Sequence, residues 1–175
     1  CKILNEAVKN LKGIPVEAAD FNTTVDLDVD AFIPASYIVN EVQKLDIYKR
    51  IAGIENKAES EDMKEELLDR FGEIPKSVDN LLRIAPIRVK AHKLYISEIK
   101  GRNEEIRFVF HEEAKIKIEQ IPVFLEQYKK KMSFNPKGVP SFFYRYKKFG
   151  VVEKDAEKLL ELTESILDDM EQILS

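Results

Sequence analysis

Apolar and polar side chains alternate strictly over residues 23–33. The apolar positions are Val25, Leu27, Val29 and Ala31, with Asp26, Asp28 and Asp30 between them. A period of two is typical of a β-strand with one buried and one solvated face, and Pro34 closes the run. The patterns that follow have a helical period. The chain therefore combines at least one half-buried strand with helices.

Residues 1–12 have apolar side chains at helical spacing, which predicts a short helix before the strand. After the strand, a second helical pattern begins at Asn40 and ends near Gly53. Asn40 is a favourable N-cap, and Gln43 stands at the capping-box position three residues later. The expected apolar face consists of Val42, Leu45, Tyr48 and Ala52. A helix of about four turns is predicted here.

Two further helices are predicted before residue 94. Ser60 is expected to start the first, which ends at Gly72, a residue suited to helix termination. Pro75 opens the second, where its missing N–H costs nothing. Pro86 lies inside this second pattern and is expected to kink or break the helix.

The second half of the chain alternates strands and helices. A strand pair is predicted over residues 94–110 with a turn at 101–103, a helix over 123–132, and a hairpin within 133–149. Residues 156–173 carry apolar side chains at spacings of three and four, which indicates a long amphipathic C-terminal helix. The predicted fold class is α+β, with one or two small antiparallel or mixed sheets packed by four or five helices.

Composition narrows the classes of function. The chain has 28 Lys and Arg against 32 Asp and Glu, a net charge of -4, which argues against a basic nucleic-acid-binding domain. No apolar run approaches the roughly 18 residues of a membrane-spanning helix. The single Cys argues against a disulfide-stapled secreted scaffold, so a reducing, cytoplasmic location is expected.

Catalytic and metal-binding patterns are weak. The three strand aspartates resemble a carboxylate cluster, but the calcium-loop pattern fails because its glycine and final glutamate positions hold Ala31 and Tyr37. His111 with Glu112 lacks the second histidine of a zinc-protease helix, since Lys115 stands there. Neither a Walker loop nor a Gly-x-Gly-x-x-Gly pattern occurs. No catalytic, metal or cofactor residue is therefore assigned.

Residues 128–149 interleave basic and aromatic side chains, and no acidic residue occurs from 129 to 148. The candidate nucleic-acid contacts are Lys129, Lys130, Lys131, Arg145, Lys147 and Lys148. Single-strand binders combine cations for phosphates with rings for bases. The same alternation is typical of a half-buried strand whose counter-charge comes from the acidic segment 153–175. Both interpretations stay open at this point.

Glu66, Asp69 and Arg70 stand at positions i, i+3 and i+4 and so share one helix face, away from the apolar Leu67 and Phe71. Intrahelical ion pairing explains this spacing, and a charged docking surface explains it equally well. Side-chain spacing alone does not distinguish these two roles.

Blocks of sequence between residues 25 and 82 resemble the C-terminal domain of bacterial transcription-repair coupling factors (Mfd), the TRCF domain. The blocks are residues 25–34, 37–38, 47–52, 66–75 and 80–82, in one order along the chain. The most specific part is the Asp-Arg-Phe-Gly-x-x-Pro element at 69–75. The rest of the chain matches only in general character.

This resemblance implies a non-catalytic regulatory domain of a DNA translocase in transcription-coupled nucleotide excision repair. The parent factor would use ATP and Mg to move on double-stranded DNA, act on stalled RNA polymerase and recruit UvrA. Residues 1–20 would be a linker helix and linker from the preceding motor domain, and 21–175 the regulatory domain, with the chain monomeric. This domain would dock on the N-terminal UvrB-like module of the same chain, mask UvrA binding and restrain the motor. By motif match, Glu66, Asp69 and Arg70 would make that contact.

Overall fold

The computed structural model describes residues 21–174, so the helix and linker expected within residues 1–20 lie outside the described part. Within it lie five strands, β1 (Thr24–Asp26), β2 (Ile96–Arg102), β3 (Glu105–Phe110), β4 (Met132–Asn135) and β5 (Ser141–Arg145). The same residues form five α-helices, α1 (Glu41–Ala52), α2 (Lys57–Phe71), α3 (Lys76–Lys93), α4 (Ile121–Gln127) and α5 (Val152–Met170). The predicted α+β class is confirmed. None of these helices is both long and apolar enough to span a bilayer.

The strands form one mixed sheet in the order β1-β2-β3-β5-β4. β1 runs parallel to β2, and the other neighbouring pairs are antiparallel. The β2–β3 hairpin turns at Asn103 and Glu104, whose φ angles of 55° and 59° suit the tight turns that match strand twist. Short strands lie at both edges, three residues in β1 and four in β4.

The sheet buries one face. Ile99, Phe108 and Phe142 lie side by side on β2, β3 and β5, each 0 % exposed. Helices α3, α4 and α5 contribute side chains to the same apolar cluster. On the other face, Lys100 and Arg107 oppose each other and are exposed. The strand alternation thus separates an apolar side from a charged one.

A second apolar cluster lies among the first three helices. Its members include Ile47 of α1, Leu67 of α2 and Val78 of α3, all 0 % exposed. The α3 helix serves both clusters, because its first half contributes to this one and Ile87 to the cluster under the sheet. A single helix therefore joins the helical part of the domain to the sheet.

Pro86 neither breaks nor ends α3, which is continuous over 18 residues. A proline cannot donate to the carbonyl four residues earlier, so Leu82 O loses its usual helical partner. The hydroxyl of Ser60 on α2 donates to that oxygen at 2.7 Å. Ser60 and Leu82 are only 8 % and 2 % exposed, so the replacement bond is made inside the protein. It satisfies a carbonyl that would otherwise be buried without a partner.

Several predicted boundaries change. The helix expected over 123–132 spans Ile121–Gln127, and the turn expected at 101–103 lies at Asn103 and Glu104. The strand predicted over 23–33 is much shorter and spans Thr24–Asp26. A tight turn follows it, in which Val29 N donates to Leu27 O at 2.8 Å. Helix α2 begins at Lys57 rather than Ser60, because Asn56 caps it by accepting from Glu59 N at 2.9 Å.

The long amphipathic C-terminal helix is confirmed as α5. Most ion pairs of its acidic side chains are with cations outside residues 128–149. Glu164 lies 2.7 Å from Arg83 and 3.5 Å from Lys57, and Asp168 pairs with Lys90. The counter-charge predicted for the basic-aromatic segment therefore serves α3 and the start of α2 instead. Tyr128, which donates to Asp169, contacts the acidic helix from that segment.

Candidate functional site

An ion cluster joins α1 to the α2 face that carries the predicted docking residues. Arg50 of α1 donates twice to Glu66, Nη1 to Oε2 at 2.5 Å and Nη2 to Oε1 at 2.6 Å. Arg70, one turn beyond Glu66, donates from Nη1 to Oε2 at 2.9 Å. A pair in which two N–H donors meet both carboxylate oxygens fixes the relative orientation of the two side chains and is stronger than a single hydrogen bond. Glu66 is thus held from two sides.

These arginines determine the ionisation of the carboxylate. The hydrogen bond from Arg50, followed by that from Arg70, lowers the pKa of Glu66 from 4.5 to about 2. The same bond to Glu66 raises the pKa of Arg50. Glu66 and Arg50 are consequently charged throughout the neutral range.

Asp69 differs from its neighbours. Its position on α2 points away from the buried Met63 and Leu67, and it is exposed. Within residues 21–174 its carboxylate makes neither an ion pair nor a side-chain hydrogen bond, whereas Glu66 and Arg70 make both. Asp69 therefore offers a negative charge to an outside partner without first breaking a contact.

The end of α2 is fixed by neighbouring groups. The hydroxyl of Tyr37 donates to Leu67 O at 3.1 Å and to Gly72 O at 2.9 Å, both at the C-terminal end of the helix. The Arg70 guanidinium lies 5.0 Å from the centre of the Phe71 ring, within cation–π range. These contacts hold the end of α2 and the Arg70 side chain in place on the charged face.

The apolar face predicted for α1 is right at Tyr48, which is half-buried against the second cluster, and wrong at Val42, Leu45 and Ala52. Val42 and Leu45 are 78 % and 57 % exposed, while Ile47 and Ile51, at positions i and i+4, enter the core. The helix that supplies Arg50 consequently presents apolar side chains to solvent. Sequence reasoning also missed Arg50, because it lies 16 residues before Glu66 and no local spacing rule connects them.

The six candidate nucleic-acid contacts do not form one surface. Lys131, Arg145 and Lys147 line a common groove at the charged side of the sheet. Lys148 instead pairs with Asp28 at 2.5 Å, and Lys129 and Lys130 lie outside this groove.

Most rings of the basic-aromatic segment are packed inside. Phe142 is 0 % exposed and Tyr144 7 %, whereas Phe149 is 70 % exposed. Phe143 faces the charged side of the sheet and is half-buried. Alternation in and out of a half-buried strand accounts for the basic-aromatic pattern of β5.

Two of the three aspartates of residues 26–30 meet cations rather than one another. Asp26 lies 2.9 Å from Arg102, and Asp28 pairs with Lys148. Over residues 21–174, no group of three His, Cys, Asp or Glu side chains is placed to hold a metal ion.

Comparison with known proteins identifies relatives. The family model of the TRCF domain matches residues 27–121. The transcription-repair-coupling factor of Bacillus subtilis is 32 % identical in an alignment of 150 residues that covers 78 % of this chain and 13 % of that protein. The Borreliella burgdorferi protein of the same name is 28 % identical over 152 residues, 87 % of this chain and 13 % of its own length. The chain thus spans about an eighth of the length of these relatives.

The fold agrees with a solved relative. A crystal structure of the C-terminal domain of a transcription-repair coupling factor superposes with a TM-score of 0.63 at 28 % identity, covering 87 % of this chain and 96 % of that one. The sequence resemblance seen in residues 25–82 and this structural likeness point to the same family. The chain belongs to the TRCF domain family and corresponds to the C-terminal domain of a transcription-repair coupling factor.

Proposed function

We propose that this domain is a non-catalytic, autoinhibitory module of a transcription-coupled repair translocase. It docks through the α2 face of Glu66, Asp69 and Arg70 on the N-terminal UvrB-like module of the same parent chain. The docked state masks UvrA binding and restrains the motor. The observation that carries this proposal is Asp69, exposed and unpaired among residues 21–174, beside the hydrogen-bonded Arg50–Glu66–Arg70 cluster.

Different residues of this face have different roles in the proposal. Asp69 is available to a cationic side chain of the partner. Glu66 acts mainly as a positioning residue, because both of its oxygens are already engaged by Arg50 and Arg70. The exposed Val42 and Leu45 on α1 add apolar area of the kind found in protein–protein contacts.

The energetics suit a reversible switch. An exposed ion pair contributes about 0.2–1 kcal/mol, and a hydrogen bond to a charged group about 1.5–3 kcal/mol. Tethering within one chain raises the effective concentration to about the millimolar range, so a weak contact can hold the closed state. The same weakness lets a partner that binds the open state shift the equilibrium.

The test uses the parent coupling factor with two substitutions on α2. We expect Asp69→Ala to increase UvrA binding and basal ATPase while leaving domain stability unchanged. Glu66→Ala is expected to increase both readouts and also to lower stability, because it leaves Arg50 and Arg70 without their shared partner. Glu61→Ala is the matched control, since Glu61 is exposed on the same helix, about 12 Å along the axis from Asp69.

A titration in trans gives an independent measurement. The 175-residue chain is added to the separately expressed UvrB-like module, and the Glu66→Ala/Asp69→Ala variant is compared with Glu61→Ala. The proposal expects loss of binding in the double variant only. Unchanged UvrA binding and ATPase in a folded Asp69→Ala factor would exclude docking through this face.

A further inference from the structure

The charged side of the sheet carries a groove that the docking proposal does not use. Its volume is about 1210 Å³, and it lies between the β2–β3 hairpin, the end of β5 and one flank of α5. The lining contains seven Lys and Arg side chains against two Glu, in a chain whose net charge is -4. The groove is thus strongly basic although the domain is acidic.

Strand register places the cations of this groove in rows. Lys100 of β2 pairs in register with Arg107 of β3, which pairs in register with Phe143 of β5. The next row, one step along the face, carries Arg102 and Arg145 on either side of Glu105. Like charges directly opposite each other destabilise a sheet, so the pairing of Lys100 with Arg107 raises the energy of this face, whereas Glu105 offsets part of the charge in the second row. An anion lying across the rows would remove that repulsion.

Many of these cations are free for a ligand. Within the described residues, Lys100, Lys131, Lys147 and Lys158 make no ion pair. Arg145 is paired only at 3.6 Å with Glu105, and Arg107 is paired at 3.0 Å with Glu98; the two arginine side chains are 81 % and 47 % exposed. Exposed pairs of this kind are weak and exchange readily with another anion.

An exposed ring distinguishes between possible polyanions. Phe149 lines the groove and is 70 % exposed, and Phe143 lies half-buried in the row of Lys100 and Arg107. Single-stranded nucleic acids offer phosphates for the cations and base faces for the rings, whereas a duplex hides its base faces and an acidic peptide has none. We propose that the β2–β3–β5 groove binds single-stranded nucleic acid, with Lys100, Arg107, Arg145 and Lys147 on phosphates and Phe149 stacked on a base.

This site differs from the basic-aromatic segment of residues 128–149. Two of its phosphate contacts come from β2 and β3, outside that segment. Lys130 and Lys137 belong to the segment and are exposed, but they do not line the groove. Two Lys→Glu substitutions can therefore be made inside the groove, and two outside it serve as a control with the same change in charge.

The test is fluorescence anisotropy with the 175-residue chain and a labelled single-stranded oligothymidylate of about 20 nucleotides at low salt. At physiological salt we expect a dissociation constant between about 1 and 100 µM, the range of binding dominated by phosphate contacts, and tighter binding at low salt. With at least three phosphates neutralised, the logarithm of the association constant should fall with the logarithm of salt at a slope of about -2 or steeper. Circular dichroism of each variant checks that the domain is folded.

Substitutions locate the binding surface. Lys100→Glu/Lys147→Glu should weaken binding about tenfold or more and make the salt slope shallower by about 1.4, because two phosphate contacts are lost. Lys130→Glu/Lys137→Glu carries the same charge change and should alter binding less than about threefold. Phe149→Ala should weaken binding about fivefold or more without changing the slope, since it removes stacking rather than charge.

Several outcomes would overturn the proposal. Equal losses in both Lys→Glu pairs would show a general charge effect, and absence of binding near 100 µM would exclude the site at physiological strength. Tighter binding of a duplex of equal length, or of polyglutamate, would assign the groove to a different polyanion. Asp69→Ala should leave oligonucleotide binding unchanged, so this test and the docking test fail independently.

Discussion

The bond between Ser60 and the α3 backbone should be coupled energetically to Pro86. Removing the hydroxyl in Ser60→Ala leaves Leu82 O buried, at a residue only 2 % exposed, with no donor at position 86. An unsatisfied buried carbonyl costs about 1–3 kcal/mol, and we expect Ser60→Ala to lower the free energy of unfolding by that amount.

Restoring the helical donor should remove most of this cost. In Pro86→Ala the new N–H of residue 86 can donate to Leu82 O through the ordinary helical bond. Ser60→Ala made in that background should then cost less than about 0.5 kcal/mol, giving a coupling energy of about 1 kcal/mol or more. The effect of Pro86→Ala alone is small in comparison, because the helical bond gained offsets the greater entropy of the unfolded chain.

The measurement is a double-mutant cycle in which unfolding by urea is monitored by circular dichroism, because the chain has no Trp for fluorescence. Ser97→Ala is the matched control, since its hydroxyl also donates to a backbone carbonyl, Val109 O at 3.2 Å, which belongs to β3 and not to the helix that contains Pro86. Its cost should be the same in both backgrounds. If Ser60→Ala costs equally with and without Pro86, to within about 0.3 kcal/mol, the compensation inferred from the structure is wrong.

Three further perturbations test the domain. The low pKa of Glu66 means that its ion pairs stabilise the fold above pH 4.5 and that this contribution is lost as pH falls from 4.5 toward 2. The Glu66 side chain is 35 % exposed, and solvent screening reduces the contribution to about 1 kcal/mol. A double-mutant cycle of Arg50→Leu and Glu66→Gln should show this coupling energy at pH 7 and little of it at pH 2.5. Asn56→Ala should destabilise the domain by about 1 kcal/mol in urea denaturation, because Glu59 N loses its cap, and a cost near zero would contradict that role. Phe108→Ala should cost about 3–5 kcal/mol, and a thermal melt unchanged from the wild type would refute its place at the centre of the core.

Local signals predicted those parts of the fold that local contacts determine. The N-cap of α1 was predicted from Asn40 and Gln43, and its hydrogen bond is present at 3.0 Å. Alternation correctly separated the buried Phe108 and Phe110 of β3 from the exposed Arg107. These features depend on residues within a few positions of one another.

Tertiary contacts determine the parts that were missed. Val42 and Leu45 have the spacing of a buried face, yet which side of α1 is covered depends on where α2 and α3 pack. The bond of Arg50 to Glu66 joins two helices, so neither residue alone indicates it. The basic groove likewise exists only because β2, β3 and β5 become neighbours, an order that alternation cannot specify.

The brevity of the edge strands has a consequence for how the domain associates. An exposed strand edge is a template on which another chain can add a strand, and long edges favour aggregation. Here the edges are three residues of β1 and four of β4, so few backbone N–H and C=O groups are available there. The longer strands β2, β3 and β5 lie inside the sheet, paired on both sides. The domain can expose a broad open sheet face to ligands without promoting edge-to-edge fibril growth.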